Sequence, residues 1–266
     1  MILSPKSQLA AAGILLGALA LPVPARAGAA FSHEDWGKVI AKFVNARGMV
    51  DYNGLAKQRA DLDRYLAAVE KTSPLSAPAL FPSRNQQLAY YLNAYNAQVF
   101  NGVLARGPEQ DSVWKGGLIS GKAFFEDMTI TIGGRQTSLK ALEDDIIREG
   151  FQDPRIHAAL NCASNGCPRL PQTPFDPAQL DAQLDAAMTE FVAEPRNVSV
   201  DDAGKTATLS KIFDWFEKDF LGYERRKGNA DPSILDYVNR YRAAGAKIPS
   251  GYDVEYFDYD KAINKQ

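Results

Sequence analysis

The chain has 266 residues, of which 45% are hydrophobic and 23% are charged, a composition typical of a globular protein and not of a disordered one. Its 20 glycines and 15 prolines follow no triplet period, which excludes a collagen-like chain. The 30 basic residues do not outnumber the 32 acidic ones, so no excess of positive charge indicates binding to nucleic acid.

The first 27 residues have the pattern of a secretory signal peptide. Lys6 precedes an apolar run from Leu9 to Leu21, and the segment ends in Ala25-Arg26-Ala27. As a helix this run would span about 20 Å, which is shorter than the bilayer core of about 30 Å. We therefore predict cleavage after Ala27 and no membrane span in the mature chain. We expect residues 28–266 to form a single soluble domain that is periplasmic or secreted.

Capping residues and apolar stripes predict helices that alternate with short hairpins. A capping box at Ser83 and Gln86 opens the longest helix. Gly133-Gly134 and Asp202-Ala203-Gly204 are typical hairpin turns. The segment 155–161 is predicted to be extended, and 254–259 to be a closing strand. Because strands and helices do not alternate regularly, we predict an α+β domain with helices packed on a small, mainly antiparallel sheet.

Three polar side chains fall on apolar helix faces. Asn93 and Asn96 lie on the inward flank of the longest helix, and an unpaired buried amide costs about 1–3 kcal/mol. Each Asn therefore either ties the helix to a loop or lines a binding site. Glu143 lies inside the apolar arc of the helix that begins at Ser138. A buried carboxylate there is either an acid/base group or one half of an ion pair, for example with Arg155.

The densest cluster of reactive side chains lies in residues 153–168, which contain both cysteines and His157. On an extended strand, His157 and Asn161 would share one face and Cys162 would point to the other. The cysteines have three alternatives. The first is a Cys162–Cys167 disulfide, which is expected in an oxidising compartment. The second is a Cys162 thiolate with His157 as its base, which would serve nucleophilic catalysis. The third, zinc binding, has the least support, because the four residues between the cysteines are not a usual spacing for zinc ligands. We predict no metal and no cofactor.

These segments resemble the domain of unknown function 547 family. The resemblance runs from about Val50 to Tyr259 and rests on the following stretches: Val50-Asp51-Tyr52, Tyr91 to Ala97, Ser138 to Arg148, Asp153 to Pro168, Leu209 to Phe213 and Tyr259-Asp260. The family signature maps onto Asn93, Glu143, His157, Cys162 and Cys167. The resemblance implies an exported protein and no established activity. Members often have Ile-Glu-His where this chain has Leu142-Glu143-Asp144, which weakens an enzymatic interpretation.

The sequence thus predicts one pocket that binds a small molecule or peptide, with a thiol compound among the candidates. Its predicted lining consists of Asn93, Asn96, Glu143, His157, Asn161, Ser164 and the Cys162–Cys167 loop. The alternative is a cysteine-dependent acyl-transfer enzyme with a papain- or transglutaminase-like fold. In that enzyme Cys162 attacks, His157 moves the proton, and Glu143 or Asn93 orients the imidazole or stabilises the oxyanion. A purely structural or partner-binding domain is the third hypothesis.

Overall fold

Apolar residues at helical spacing form most of the secondary structure in the computed structural model, which describes residue 1 and residues 30–115 and 121–266. Apart from residue 1, the predicted signal peptide lies outside the described residues. In the part of the chain that is described, no helix has both the length and the apolar character needed to cross a bilayer.

The N-terminal third is helical. Its elements are α1 (Glu34–Phe43), α2 (Tyr52–Lys57), α3 (Ala60–Lys71), a 3₁₀ turn (Pro78–Leu80) and α4 (Arg84–Arg106). The predicted capping box is present at the start of α4, where Ser83 and Gln86 satisfy each other's backbone N–H groups. Residues of α4 are buried on every face between Leu88 and Val103, because α2, α3 and the later helices pack around it. This burial leaves the polar side chains of α4 dependent on protein partners.

A hairpin and an unusual helix follow. The elements are α5 (Lys122–Phe125), β1 (Thr129–Ile132), β2 (Arg135–Ser138), α6 (Leu139–Ala141), a π-helix (Leu142–Arg148) and α7 (Glu149–Phe151). The predicted turn at Gly133-Gly134 is confirmed, and both glycines have positive φ angles of 57° and 79°. The last three elements form one continuous helical segment whose middle is widened to π geometry.

The segment after α7 is not extended, and the prediction of a strand there is wrong. Residues Pro154–Ala158 form a 3₁₀ helix. Pro154 at the first helical position has a suitable fixed φ angle, and the Asp153 carboxylate accepts the Arg155 N–H at 3.1 Å. The argument that placed His157 and Cys162 on opposite faces of a strand therefore does not apply.

The C-terminal half contains a second sheet. Its elements are α8 (Leu180–Ala193), β3 (Val198–Asp201), β4 (Thr206–Leu209), α9 (Lys211–Trp215), α10 (Glu217–Arg226), α11 (Ile234–Tyr241), a 3₁₀ turn (Ala244–Ala246) and β5 (Asp253–Tyr256). The strand order is β3-β4-β5, with β3 antiparallel and β5 parallel to β4. The predicted α+β fold with small, mainly antiparallel sheets is confirmed. A likeness to papain or transglutaminase stays a prediction.

Two hydrophobic clusters meet at the 3₁₀ helix Pro154–Ala158. Ile156 packs into the larger cluster, which surrounds α4, whereas Ala158 packs into the smaller cluster of the C-terminal half. His157 lies between these two residues and is buried. The short helix therefore positions one imidazole at the boundary between the two clusters.

Candidate functional site

A cleft of about 220 Å³ lies at the boundary between the two hydrophobic clusters. Its aromatic lining comprises Tyr95, Trp114, Phe125, Trp215, Phe216 and Tyr259. Four residues singled out by the sequence line the same cleft, namely Glu143, His157, Cys162 and Cys167. The tertiary structure thus brings a predicted acid, an imidazole and both sulfurs next to an aromatic wall.

Glu143 enters the cleft from the π-helix. This π-helix has seven residues. π-Helical turns are rare in proteins, and many of those known lie at functional sites, because the wider turn redirects side chains. The Tyr95 hydroxyl of α4 donates a hydrogen bond of 2.9 Å to Oε2 of Glu143. Burial raises the pKa of Glu143 from its usual 4.5 to about 7, the neighbouring Asp144 adds to the rise, and the Tyr95 hydrogen bond opposes it. At neutral pH this carboxyl is able both to donate and to accept a proton.

Arg155, the example of an ion-pair partner considered for Glu143, does not pair with it. Its guanidinium instead binds three other carboxylates, those of Asp153, Asp181 and Asp185. The pair with Asp153 follows from local spacing, and the other two follow from the packing of α8 against the 3₁₀ helix.

His157 has a carboxylate partner that is distant in the sequence. Its Nε2 lies 2.8 Å from Oδ2 of Asp219 in α10, and its ring stacks on Phe216 with a centroid separation of 4.0 Å. Burial lowers the pKa of His157, and the Asp219 carboxylate opposes that effect. The imidazole is therefore mainly neutral at pH 7. It is oriented by one hydrogen bond and one stacking contact.

Asp219 also binds Arg148, which lies behind the cleft wall and connects Asp219 to Asp144 in the cleft lining. Arg148 Nε donates to Oδ2 of Asp219 at 2.8 Å, and its Nη1 donates to Asp144 at 2.6 Å. Lys140 donates to the other oxygen of Asp144 at 2.6 Å. Burial by itself would raise the pKa of Asp219, but the hydrogen bonds from His157 and Arg148 lower it to about 2. Asp219 thus remains a carboxylate at neutral pH.

The two cysteines form the predicted disulfide, with Cα atoms 6.2 Å apart. Cys162 is half-buried, whereas Cys167 is almost wholly buried. The Tyr259 hydroxyl lies 3.0 Å from Sγ of Cys162 and 3.2 Å from Sγ of Cys167. Gly166 permits this approach, since a Cβ at that position would lie 2.7 Å from the Tyr259 ring. With both thiols in the bridge, the oxidised protein has no free cysteine. Among residues 30–115 and 121–266, no three His, Cys, Asp or Glu side chains converge as a metal site requires.

Asn93 and Asn96 lie in the core and do not line the cleft. Asn93 forms two hydrogen bonds with the backbone of Phe175, at 2.9 and 3.0 Å. Asn96 donates to the carbonyl of Ala159 at 3.0 Å and accepts the N–H of Asn161 at 2.9 Å. Each amide ties a loop to α4 through one donated and one accepted hydrogen bond, which favours the structural interpretation of both residues.

Asn161 and Ser164 also lie outside the cleft. Asn161 donates to the carbonyl of Pro168 at 2.8 Å, and Ser164 accepts the indole N–H of Trp114 at 2.7 Å. Both residues line a second depression of about 850 Å³, which shares Cys167 and Tyr259 with the cleft. Their hydrogen bonds hold the disulfide loop in place next to the aromatic wall.

Sequence reasoning missed four residues of the hydrogen-bond network at the site, namely Tyr95, Arg148, Asp219 and Tyr259. Tyr95, Arg148 and Tyr259 carried a signal, since each lies in a stretch that is part of the family resemblance. Nothing in the sequence pointed to Asp219.

Residues 80–192 match the family model described as "Protein of unknown function, DUF547". The predicted resemblance to the domain of unknown function 547 family is confirmed over this segment. The matched segment contains α4, the π-helix and both cysteines, whereas Asp219 and Tyr259 lie outside that segment. No curated protein and no solved structure matches the chain.

Proposed function

We propose that this is an exported protein whose aromatic cleft binds a small molecule or a short peptide. The observation that carries the proposal is the presence of Glu143, His157 and Cys162 in the lining of one cleft with aromatic walls. Pockets with apolar walls and a few convergent polar groups are the usual form of a binding site.

The size and chemistry of the cleft limit the ligand class. Its volume of about 220 Å³ is below the range of about 300–1,000 Å³ typical of drug-sized ligands, so a ligand the size of one or two amino-acid residues fits best. Trp114 and Trp215 offer flat apolar faces, and Trp215 is 43% exposed although it is large and hydrophobic. Glu143 can accept from or donate to an uncharged polar group such as an amide. A ligand with an apolar or aromatic part and an amide-like group meets both requirements.

The proposed location rests on one feature of the sequence and one of the structure. The N-terminal segment has the pattern of a signal peptide, and the Cys162–Cys167 bridge is of a kind found mainly in oxidising compartments. Both features support a periplasmic or secreted protein.

Cysteine-dependent acyl transfer is the second candidate. It is favoured because His157, which pairs with Asp219, lines the same cleft as Cys162. In this scheme the Cys162 thiolate attacks a carbonyl, His157 moves the proton and Asp219 orients the imidazole. The scheme requires a free thiol, which only the reduced protein has. Labelling the non-reduced protein with iodoacetamide separates the two candidates: a labelled Cys162 supports acyl transfer, and an unlabelled protein removes its nucleophile.

The binding proposal is tested by ligand retention. Purified protein is incubated with a low-molecular-mass extract of the source cells, desalted and denatured, and the released compounds are identified by mass spectrometry. We expect the wild-type protein to retain a compound that Trp215→Ala no longer retains, because this change removes part of the aromatic wall. Leu75→Ala is the matched control, since Leu75 is a large apolar side chain, 59% exposed, that does not line the cleft. Equal retention by the wild-type protein and Trp215→Ala would refute the proposal.

A further inference from the structure

The sulfurs of the disulfide receive polar contacts that a purely structural bridge does not need. The backbone N–H of Cys162 donates to Sγ of Cys167 at 2.9 Å. The Tyr259 hydroxyl lies within 3.2 Å of both sulfurs. A disulfide sulfur is a weak acceptor, whereas a thiolate is a strong one, so these donors are better matched to a cleaved bridge than to an intact one.

The two sulfurs differ in their surroundings. Cys162 is half-buried beside the cleft, and Cys167 is 3% exposed. The Arg196 guanidinium donates to the carbonyl of Cys167 at 3.3 Å but is itself paired with Glu194, so the donor that distinguishes the two sulfurs is the Cys162 N–H on Cys167. Donors and cations stabilise a thiolate, and a more stable thiolate is the better leaving group in disulfide exchange. Attack at Cys162 with departure of Cys167 is therefore the favoured direction.

We propose that the Cys162–Cys167 disulfide is redox-active and exchanges with a thiol compound that enters the aromatic cleft. The inference rests on the proposed function, because it requires the cleft to admit a ligand. It narrows the ligand class to molecules that carry a thiol.

The exchange takes place in two steps. In the first, the thiolate of the entering compound attacks Sγ of Cys162, the bond to Cys167 breaks, and Cys167 leaves as a thiolate that accepts hydrogen bonds from Cys162 N–H and Tyr259 O–H. In the second, another thiolate attacks the substrate sulfur of the mixed disulfide and releases Cys162. Two thiols lose two protons and two electrons and become a disulfide, and the two cysteines gain them and become thiols.

Other groups of the cleft are suited to the proton transfers. Glu143 and His157 both line the cleft, and each carries a site that can take the proton of an entering thiol. Tyr259 is a catalytic residue of this exchange, since its hydroxyl contacts both reacting sulfurs.

Reduction kinetics of the folded protein test the inference. Dithiothreitol is the probe, the reaction is quenched with iodoacetamide, and reduced protein is counted by mass spectrometry, both for the native chain and for the chain in urea. We expect the native disulfide to be reduced at least as fast as the one in the unfolded chain. Tyr259→Phe should slow native reduction by about tenfold, since it removes only the hydroxyl at the sulfurs. Tyr252→Phe is the matched control, because its hydroxyl binds Asp202 at the surface. A native disulfide that is reduced only on unfolding, or equal rates in the two Phe variants, would overturn the inference.

Single-cysteine variants test the direction of attack. Cys167→Ser should form a mixed disulfide with oxidised glutathione at least about tenfold faster than Cys162→Ser, because only Cys162 lies half-exposed at the cleft. Equal rates would contradict the assigned direction. If either serine variant fails to fold, the reduction rates of Tyr259→Phe and Tyr252→Phe still test whether the disulfide is redox-active. An inert disulfide together with ligand retention that depends on Trp215 would overturn the redox inference and leave the binding proposal intact. An inert disulfide together with ligand retention that does not depend on Trp215 would refute both the redox inference and the binding proposal.

Discussion

Replacing Glu143 by glutamine should change how the stability of the protein depends on pH. Glu143 is half-buried beside Asp144, and its pKa is raised from its usual 4.5 to about 7. The unfolded chain therefore loses this proton at a lower pH than the folded chain, so deprotonation favours unfolding. The stabilising effect of the protonated carboxyl is complete below about pH 4.5 and is lost as the pH rises through about 7.

The expected magnitude follows from the size of the shift. The full difference in pKa corresponds to about 3 kcal/mol. Glu143 borders a cleft that is open to solvent, and part of the stabilising effect is already lost at pH 5. We therefore expect a change of about 2 kcal/mol in the free energy of unfolding between pH 5 and pH 8. Glu143→Gln keeps the shape of the side chain and an acceptor for the Tyr95 hydroxyl while it removes the ionisation. The variant should therefore gain about 2 kcal/mol relative to the wild-type protein over this interval.

Urea denaturation at pH 5 and pH 8 under non-reducing conditions measures this difference. Asp145→Asn is the matched control, because it removes the same charge from an exposed position of the same helical segment. If the difference in free energy of unfolding between Glu143→Gln and the wild-type protein is the same at both pH values, then Glu143 does not have a raised pKa in the folded protein.

Three further changes have predictable effects on stability, each measured by urea denaturation. Reducing the disulfide should lower the free energy of unfolding by about 2 kcal/mol, as expected for a short closed loop, and an unchanged value would argue against this estimate. Gly166→Ala should cost about 1–3 kcal/mol because its Cβ meets the Tyr259 ring, whereas Gly245→Ala has open space and serves as control. Asp219→Asn should lower the free energy of unfolding by about 2 kcal/mol, because it weakens the half-buried ion pair with Arg148. The control, Asp214→Asn, affects the more exposed pair with Lys211 and should cost less than about 1 kcal/mol. Equal losses of stability in the two variants would contradict the special role of Asp219.

Local rules were sufficient for much of the architecture. The capping box at Ser83, the glycine turn at Gly133-Gly134 and the inward position of Glu143 all depend on residues within a few positions of one another. The Cys162–Cys167 bridge is equally local, since five positions separate the two residues. Even so, local spacing predicted a strand where Pro154 and the Asp153 cap start a 3₁₀ helix.

The partners of the site residues were decided only by tertiary structure. Asp219 is 62 positions from His157, and Tyr259 is 97 positions from Cys162. No spacing rule connects residues so far apart, because their approach depends on how α10 and the C-terminal segment pack against the boundary between the two hydrophobic clusters. The same packing places Asn93 and Asn96 outside the cleft, because their side-chain amides donate to the carbonyls of neighbouring loops. The sequence by itself determined which polar side chains point inward, whereas the packing of distant elements decided which of them meet in one cleft.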